Sequence, residues 1–173
     1  MKKLVALFIL SITALVSCAQ KPAPGLCLDP AFDQKVSDMI SFSVPIIDVR
    51  ELKDIQNEVF IFDTRNHEEY DVSHIKNAEY LGYQDFDPDK LKDIPQNAKI
   101  VLYCSIGYRS EKIGEKLLSL GYKNVYNLYG SIFEWINQGN RVVDKNGQPT
   151  RNVHTYNRQW SKWLDDKKAK KVW

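Results

Sequence analysis

Apolar and polar residues alternate in short blocks along most of this chain, and the blocks have two periods. Runs rich in β-branched and aromatic residues predict strands; they lie at 44–49, 59–63, 78–81, 99–103 and 125–129. Amphipathic spacing predicts helices at 29–39, 51–56, 66–71, 89–94, 109–120 and 132–136. Because single helices separate successive strands, the pattern predicts β-α-β units. We therefore expect an α/β fold with a mostly parallel sheet of about five strands and helices on both faces.

The pattern changes in the segment 141–173. A turn composition at 144–147 is followed by large apolar residues at spacings of four, three and one, which place them on one helical face. These residues are Tyr156, Trp160, Trp163 and Leu164. We therefore expect a C-terminal extension whose amphipathic helix packs back on the domain and ends in solvated lysines.

The N-terminus is typical of an exported protein. Lys2 and Lys3 precede an apolar stretch. This stretch is too short for a membrane-spanning helix, which needs about 20 residues. The pattern therefore predicts a signal peptide at 1–17. The last residues of this stretch and Cys18 are similar to the lipobox of bacterial lipoproteins, in which the cysteine carries the lipid. The alternative is an ordinary cleaved signal with an incidental cysteine. We expect 18–41 to hold the lipid attachment, a Pro-rich tether and an N-terminal extension, with the protein anchored to a bacterial membrane on its exported side.

The net charge of the chain and the spacing of its possible metal ligands limit the classes of partner that we expect. Two of the 24 basic residues lie in the signal peptide, so its removal leaves 22 basic and 22 acidic residues. A formally neutral chain has no strong field for nucleic acid, and we expect no nucleic-acid partner. No Cys or His pair has the short spacing of zinc ligands, so no metal and no cofactor are expected.

The most informative chemical feature lies at the end of the fourth predicted strand. Cys104 follows the apolar run, and a short turn with Gly107 leads into a helix. Ligands of open α/β sheets bind at this edge, where the N–H groups of the helix start and Arg109 would favour a thiolate. We therefore expect a reactive thiol with a pKa below that of free cysteine; the alternative is a buried structural cysteine. A disulfide between Cys104 and Cys27 is left open, since an exported location is oxidising.

Four segments, in order, resemble the rhodanese-like sulfurtransferase domain. The specific one is 104–110, which is similar to the active-site loop Cys-x-x-Gly-x-Arg-Ser. The segment 60–65 resembles an Asp-x-Arg element, 73–78 resembles Gly-His-Ile-x-Gly-Ala with both glycines replaced, and 128–135 resembles Gly-Gly-x-x-x-Trp with serine for the second glycine. The resemblance covers about 42–140 and implies a rhodanese-like domain there.

By this resemblance, Cys104 accepts a sulfane sulfur from a small donor such as thiosulfate or a persulfide and passes it to a thiol or protein acceptor. The residues of the implied substrate-binding loop are Ser105, Ile106, Gly107, Tyr108 and Arg109. Gly107 permits the tight curl of this loop. Arg109 has two possible roles, binding an anionic donor through its fork of N–H groups or holding the loop in shape.

Supporting roles are expected for three residues outside the loop. Asp63 ends the neighbouring strand and is expected to support the loop rather than react. Arg65 either assists anion binding at the pocket rim or makes a structural ion pair. His74 is placed in a loop before a strand, where a hydrogen bond to the backbone is favoured over a role as general base.

Two other functional classes remain beside the sulfurtransferase. Cys-based phosphatases also place a cysteine and an arginine around a loop, but their arginine follows one residue later, so the loop here forms a smaller bowl suited to sulfur. A non-catalytic binding or scaffold module is the second alternative, and the retention of Cys104 argues against it.

Overall fold

The protein, described here by a computed structural model, is defined over residues 25–173. Its helices are α1 (Pro30–Met39), α2 (Val49–Ile55), α3 (His67–Val72), α4 (Tyr108–Ser119), α5 (Ser131–Asn137) and α6 (Arg158–Ser161). Its strands are β1 (Ile46–Ile47), β2 (Phe60–Asp63), β3 (His74–Ile75), β4 (Ala78–Tyr80), β5 (Lys99–Tyr103), β6 (Asn124–Leu128), β7 (Val142–Val143), β8 (Pro149–Thr150), β9 (Asn152–His154) and β10 (Lys170–Val172). The expected signal peptide and Cys18 lie outside the described residues.

A five-stranded parallel sheet in the order β1-β6-β5-β2-β4 forms the centre. Because side chains alternate across a strand, the central strand β5 sends Val101 and Tyr103 to one face and Ile100 and Leu102 to the other. The first face packs against α1, α2 and α5, and the second packs against α4. The predicted α/β sheet with helices on both faces is confirmed.

Local capping explains where the first predicted strand ends. The run 44–49 is a strand only at Ile46–Ile47, because Asp48 caps α2. Its carboxylate accepts hydrogen bonds from the backbone N–H groups of Arg50 and Glu51 at 2.7 and 2.8 Å, and the Glu51 side chain accepts one from the Asp48 N–H. This reciprocal pair satisfies N–H groups that a helix start leaves unpaired. Similarly, the predicted helix at 89–94 is a 3₁₀ turn at Pro88–Leu91.

The N-terminal extension belongs to the same core as the sheet. The helix predicted at 29–39 is confirmed as α1, and its Phe32 and Val36 are fully buried. The Tyr129 hydroxyl donates to the carbonyl of Asp33 at 3.0 Å and so ties α1 to the end of β6. Within residues 25–173, no helix is long and apolar enough to cross a bilayer.

The prediction of an amphipathic helix in the C-terminal extension is wrong. Only α6, four residues long, is helical in 141–173, and the segment otherwise contains short strands and turns. Tyr156 has a φ of 64° and stands before the helix, which Asn157 caps by accepting from the Trp160 N–H at 3.1 Å. The expected lysine-rich helix end is instead β10, paired in parallel with β9.

Non-local pairing outweighs the helical period in this extension. The Lys170 N–H donates to the Arg151 carbonyl at 2.7 Å, and the Thr155 N–H donates to the Val172 carbonyl at 2.9 Å. The packing part of the prediction holds, because Trp163 stacks on Phe32 with ring centroids 5.6 Å apart and Leu164 is buried. The extension is therefore fixed against the domain by strands rather than by a helix.

Candidate active site

The carboxyl end of β5 places Cys104 against the start of α4. Strand β5 ends at Tyr103 and α4 begins at Tyr108, so the chain turns within a few residues. Gly107 caps the helix with a φ of 125°, a backbone conformation that residues with a Cβ rarely adopt. Its N–H donates to the Cys104 Sγ at 3.1 Å. The loop therefore points an amide at the sulfur, as the sequence predicts.

Buried polar side chains hold the loop from behind. Asn127 in β6 donates from Nδ2 to the Gly107 carbonyl at 2.9 Å, and Ser110 donates from its hydroxyl to Asn127 Oδ1 at 2.7 Å. The Cys104 N–H donates to the Ser131 hydroxyl at 3.1 Å. This serine stands where the family pattern has a glycine, so the replacement adds a hydrogen bond to the backbone of the candidate nucleophile.

Glu69 holds Arg109 by a bidentate ion pair. Arg109 donates from Nη1 to Oε2 at 2.6 Å and from Nη2 to Oε1 at 2.9 Å. Its Nη2 also donates to the Ser105 hydroxyl at 3.0 Å, and that hydroxyl donates to Glu69 at 3.2 Å. These contacts fit the loop-holding role, one of the two left open for Arg109 by the sequence. Glu69 was not among the predicted site residues, although it follows the Asp-x-Arg element in the segment that resembles the family.

The surroundings of Cys104 favour its thiolate. Burial alone would raise the pKa of the thiol, but the charge of Arg109 and the N–H groups of Gly107 and Ser110 outweigh burial, and the pKa falls below its ordinary value. The same ion pair lowers the pKa of Glu69 despite its burial, so its carboxylate stays ionised beside Arg109. The site therefore combines a nearly inaccessible sulfur with a charge state suited to nucleophilic attack.

Asp63 and Arg65 form a buried ion pair away from the pocket. Arg65 donates from Nη2 to Asp63 Oδ2 at 2.6 Å, and both side chains are fully buried. The same Nη2 donates to the carbonyl of Ser73, so the pair joins the end of β2 to the start of β3. The structure thus shows the ion-pair role for Arg65 rather than anion binding. Asp63 touches Arg65 rather than the loop and supports the site only indirectly.

His74 and Cys27 have structural surroundings. His74 lies in β3 rather than in a loop, and its Nδ1 is 3.1 Å from the Tyr70 carbonyl, in keeping with the backbone role expected for it. Cys27 is buried beside α1 and the start of α5. The disulfide left open by the sequence is not formed, because Cys27 and Cys104 are both free thiols.

A pocket of about 290 Å³ opens above the loop. Four loop residues line it, namely Cys104, Ser105, Ile106 and Tyr108, together with Arg109. Its remaining wall is made by Met39, Asn66, Tyr83, Gln84, Tyr156 and Trp160. Sequence reasoning placed Tyr156 and Trp160 in an aromatic stripe that packs on the domain and missed their position at the pocket. Among the described residues no His, Cys, Asp and Glu cluster suits a metal ion.

Curated proteins similar to this chain match it over part of its length. The tRNA uridine(34) hydroxylase of Hamiltonella defensa is 40% identical over 85 residues, which are 46% of this chain and 24% of that protein. The protein of the same name from Pectobacterium atrosepticum is 38% identical over 96 residues, 52% of this chain and 26% of that protein. The chain therefore spans about a quarter of the length of these curated relatives.

Solved structures and the family comparison agree on the fold. A rhodanese-like domain protein from Staphylococcus aureus superimposes with a TM-score of 0.51 and 30% identity, covering 58% of this chain and 98% of that one. The thiosulfate sulfurtransferase of Pseudomonas aeruginosa superimposes with a TM-score of 0.53 and 18% identity, covering 69% of this chain and 23% of that one. Residues 34–138 match the family described as Rhodanese-like domain, a match that begins within α1. Because that match spans more than half of the chain, the protein belongs to the rhodanese-like domain family.

Proposed function

We propose that the protein is a sulfurtransferase that carries sulfane sulfur as a persulfide on Cys104. The observation that supports this most directly is the environment of the Cys104 sulfur. One loop amide donates to it, Arg109 lies close enough to lower its pKa, and the thiol lines a pocket. These are the features that a thiolate nucleophile and an anionic persulfide both require.

The proposed chemistry has two steps. The Cys104 thiolate attacks the outer sulfur of the donor, a new S–S bond forms on the cysteine, and the donor's own bond to that sulfur breaks. With thiosulfate the leaving group is sulfite, which departs with the bonding electron pair. An acceptor thiolate then attacks the outer sulfur of the persulfide, and the electron pair of the broken S–S bond returns to Cys104 as thiolate.

The names of the curated relatives do not set the reaction of this chain. Those hydroxylases are about four times as long as the region they share with it. In this chain the match to the rhodanese-like domain family covers residues 34–138. We therefore base the proposal on the chemistry of the loop within that domain.

The loop geometry disfavours phosphatase chemistry. Arg109 follows Cys104 by five residues, and its fork of N–H groups is turned towards Glu69 instead of the space above the sulfur. A phosphate bound over Cys104 would have to compete with that carboxylate. The sulfurtransferase is therefore favoured over the phosphatase.

Mass spectrometry of the intact protein tests the proposal. Reduced protein treated with thiosulfate or inorganic polysulfide should gain the mass of one sulfur atom, and Cys104→Ser should gain none. Cys27→Ser, the matched control, should gain the same mass as the wild type. A non-catalytic module is the conclusion if the wild type gains no sulfur, and another nucleophile is required if Cys104→Ser still does.

We further propose that lipid on Cys18 anchors the protein to the exported side of a bacterial membrane. The support is the lipobox-like sequence after a short apolar stretch. One acyl chain binds a bilayer only marginally, whereas lipoprotein processing attaches more than one, so the anchor should be stable. Cys18→Ser should move the protein from the membrane to the soluble fraction or leave its signal uncut. A wild-type protein found soluble with an unmodified Cys18 contradicts this proposal alone.

A further inference from the structure

The C-terminal extension supplies one wall of the Cys104 pocket. The family match ends at residue 138, yet Tyr156 and Trp160 line the pocket together with the loop. The pocket is therefore shaped in part by residues that lie outside the matched family domain.

This wall is held in place by the rest of the extension. Strands β9 and β10 pair with each other, and Val153 and Thr155 just before the wall are fully buried. After the wall, Asn137 in α5 donates from Nδ2 to the Trp163 carbonyl at 2.9 Å and accepts from the Asp165 N–H at 3.0 Å. Both sides of the wall are therefore fixed to the domain.

Tyr156 adopts an uncommon backbone conformation that sets its ring beside the loop. Its φ of 64° lies in the left-handed region, which residues with a Cβ occupy only when the surrounding structure requires it. Its N–H donates to His154 Nδ1 at 3.1 Å. The Arg109 guanidinium lies over the ring, 5.6 Å from its centroid. The extension thus contacts the same arginine that Glu69 holds.

The pocket is large and apolar for an inorganic donor. The pocket has a volume of about 290 Å³. Pockets that bind small organic ligands have volumes from about 300 Å³ upwards, so this pocket is near the lower end of that range. Aromatic and aliphatic side chains make most of the wall. Among the described residues that line it, only Arg109 carries a permanent charge, and Glu69 neutralises that charge. A small dianion such as thiosulfate neither fills this space nor finds a free cation in its wall.

We propose that Tyr156 and Trp160 make this pocket selective for organic sulfane donors that carry an apolar or aromatic group next to the reacting sulfur. The inference rests on the proposed sulfur transfer and names its class of donor, R–SO₂–S⁻ or R–S–S⁻. The Cys104 thiolate attacks the outer sulfur and forms the persulfide. R–SO₂⁻ or R–S⁻ leaves with the electron pair, while R stays against the aromatic wall during the attack.

Three donors with the same type of reacting sulfur test the selectivity: benzenethiosulfonate, methanethiosulfonate and thiosulfate. The rate of Cys104 persulfide formation is measured for each by intact mass and divided by the rate of the same donor with free cysteine, which removes intrinsic reactivity. The full-length protein should prefer benzenethiosulfonate over methanethiosulfonate by about tenfold, and thiosulfate should be slower still.

Substitution of the wall residue locates the effect. Tyr156→Asn keeps a residue that tolerates positive φ but removes the ring, so the ratio of the benzenethiosulfonate rate to the methanethiosulfonate rate should fall about fivefold. A thermal unfolding transition like that of the wild type shows that the variant is folded. Tyr156→Phe should retain the wild-type preference. Trp173→Asn is the matched control, because it removes an exposed aromatic ring from the same extension away from the pocket.

The outcomes separate this inference from the proposed function. If no donor adds sulfur to Cys104, the sulfurtransferase proposal itself fails. If thiosulfate reacts at least as well as the aromatic donor, sulfur transfer stands and the organic selectivity is wrong. An aromatic preference that survives in Tyr156→Asn overturns the assignment of the selectivity to Tyr156.

Discussion

The two described cysteines differ in chemistry although both are buried. Cys104 is 1% exposed and Cys27 is 5% exposed. Cys104 has an amide donating to its sulfur and an arginine nearby, and its pKa is lowered. Around Cys27, burial comes first and the carboxylates of Glu134 and Asp33 add to it, so the pKa of this thiol is raised far above its ordinary value. Burial therefore does not decide the reactivity of a thiol; the charges and dipoles that face the sulfur do.

The two glutamates beside these cysteines repeat the contrast. Glu69 is paired on both oxygens with Arg109, and its pKa is lowered. Glu134 is also fully buried, but its Oε2 has no hydrogen-bond partner within residues 25–173, and burial raises its pKa. The loop region thus compensates each buried charge, and the Cys27 region does not. This difference identifies the loop as the region arranged for an anionic sulfur.

Alkylation should separate the two thiols by the largest factor. With iodoacetamide at pH 7, Cys104 should react about 10³-fold faster than Cys27, since the folded environment favours one thiolate and disfavours the other. Peptide mapping against time measures both rates in one sample. In denaturant the two rates should converge. Equal rates in the folded protein contradict this difference between the two thiols.

The same substitution at the two glutamates should give unequal losses of stability. Glu69→Gln leaves the largely buried Arg109 without its carboxylate and should lower the free energy of unfolding by about 3 kcal/mol. Glu134→Gln removes an uncompensated charge and keeps the oxygen that accepts from the Leu28 N–H, so its effect at pH 8 should stay below about 1 kcal/mol. Urea unfolding measures both.

A surface pair provides the control for these variants. Glu115 pairs with Lys112 at a partly exposed site, and Glu115→Gln should change the free energy of unfolding by less than about 1 kcal/mol. If Glu134→Gln lowers the free energy of unfolding as much as Glu69→Gln does, both carboxylates are equally well compensated. That result would contradict the difference between the two regions.

Substitutions at two glycines distinguish an effect on the Cys104 loop from the general cost of backbone strain. Gly107 and Gly147 both have positive φ, and a methyl group at either meets no atom closer than 3.5 Å. Alanine at each position should therefore cost about 1–2 kcal/mol through strain alone. Only Gly107→Ala should also slow persulfide formation, because a backbone that relaxes from its φ of 125° moves the N–H that donates to the Cys104 sulfur. Thermal unfolding and the sulfur-uptake rate, measured together, check this; equal slowing in Gly147→Ala contradicts it.

The smallest expected effect is that of Cys27 ionisation on the free energy of unfolding above pH 9. Unfolded Cys27 ionises above its ordinary pKa of 9.0, while the folded thiol stays protonated because its pKa is raised. The unfolded state thus binds fewer protons, and stability falls as pH rises above 9.0, with a limit of about 1.4 kcal/mol per pH unit. Cys27→Ser should remove about 1 kcal/mol of that fall between pH 9 and 10. Parallel curves for the two proteins in urea unfolding exclude this role.

Cys104 should contribute to the pH dependence with the opposite sign. Its folded pKa is lowered, so the stability that its thiolate provides is complete above pH 9.0 and is lost as pH falls through the folded pKa. Between pH 7 and 9 the wild type should therefore gain stability relative to Cys104→Ser. The two serine variants thus test the two directions separately in one set of urea curves.

The amino-acid sequence alone predicts the sheet, the helices that cover it and the position of Cys104 between β5 and the start of α4. These features depend on residues that are neighbours in the chain: the apolar run of β5, the turn at Gly107 and the start of α4. Hydrophobic periodicity, helix capping and turn preferences depend on a few neighbouring residues. They can therefore be recognised in a short segment of the sequence. The same locality explains why the position of Cys104 was predicted.

The groups from distant segments that meet this loop became known from the three-dimensional structure. Glu69 lies 40 residues before Arg109, and Ser131 lies 27 residues after Cys104. Tyr156 and Trp160 were predicted to share one face of a helix because their spacing is helical, but Tyr156 stands before α6 and both residues line the pocket. Local preferences amount to a few tenths of a kcal/mol per residue, about 0.7 at most for ordinary residues, so strand pairing and burial between distant segments override them. The contacts of Arg109 and the shape of the Cys104 pocket therefore follow from packing, which no local pattern encodes.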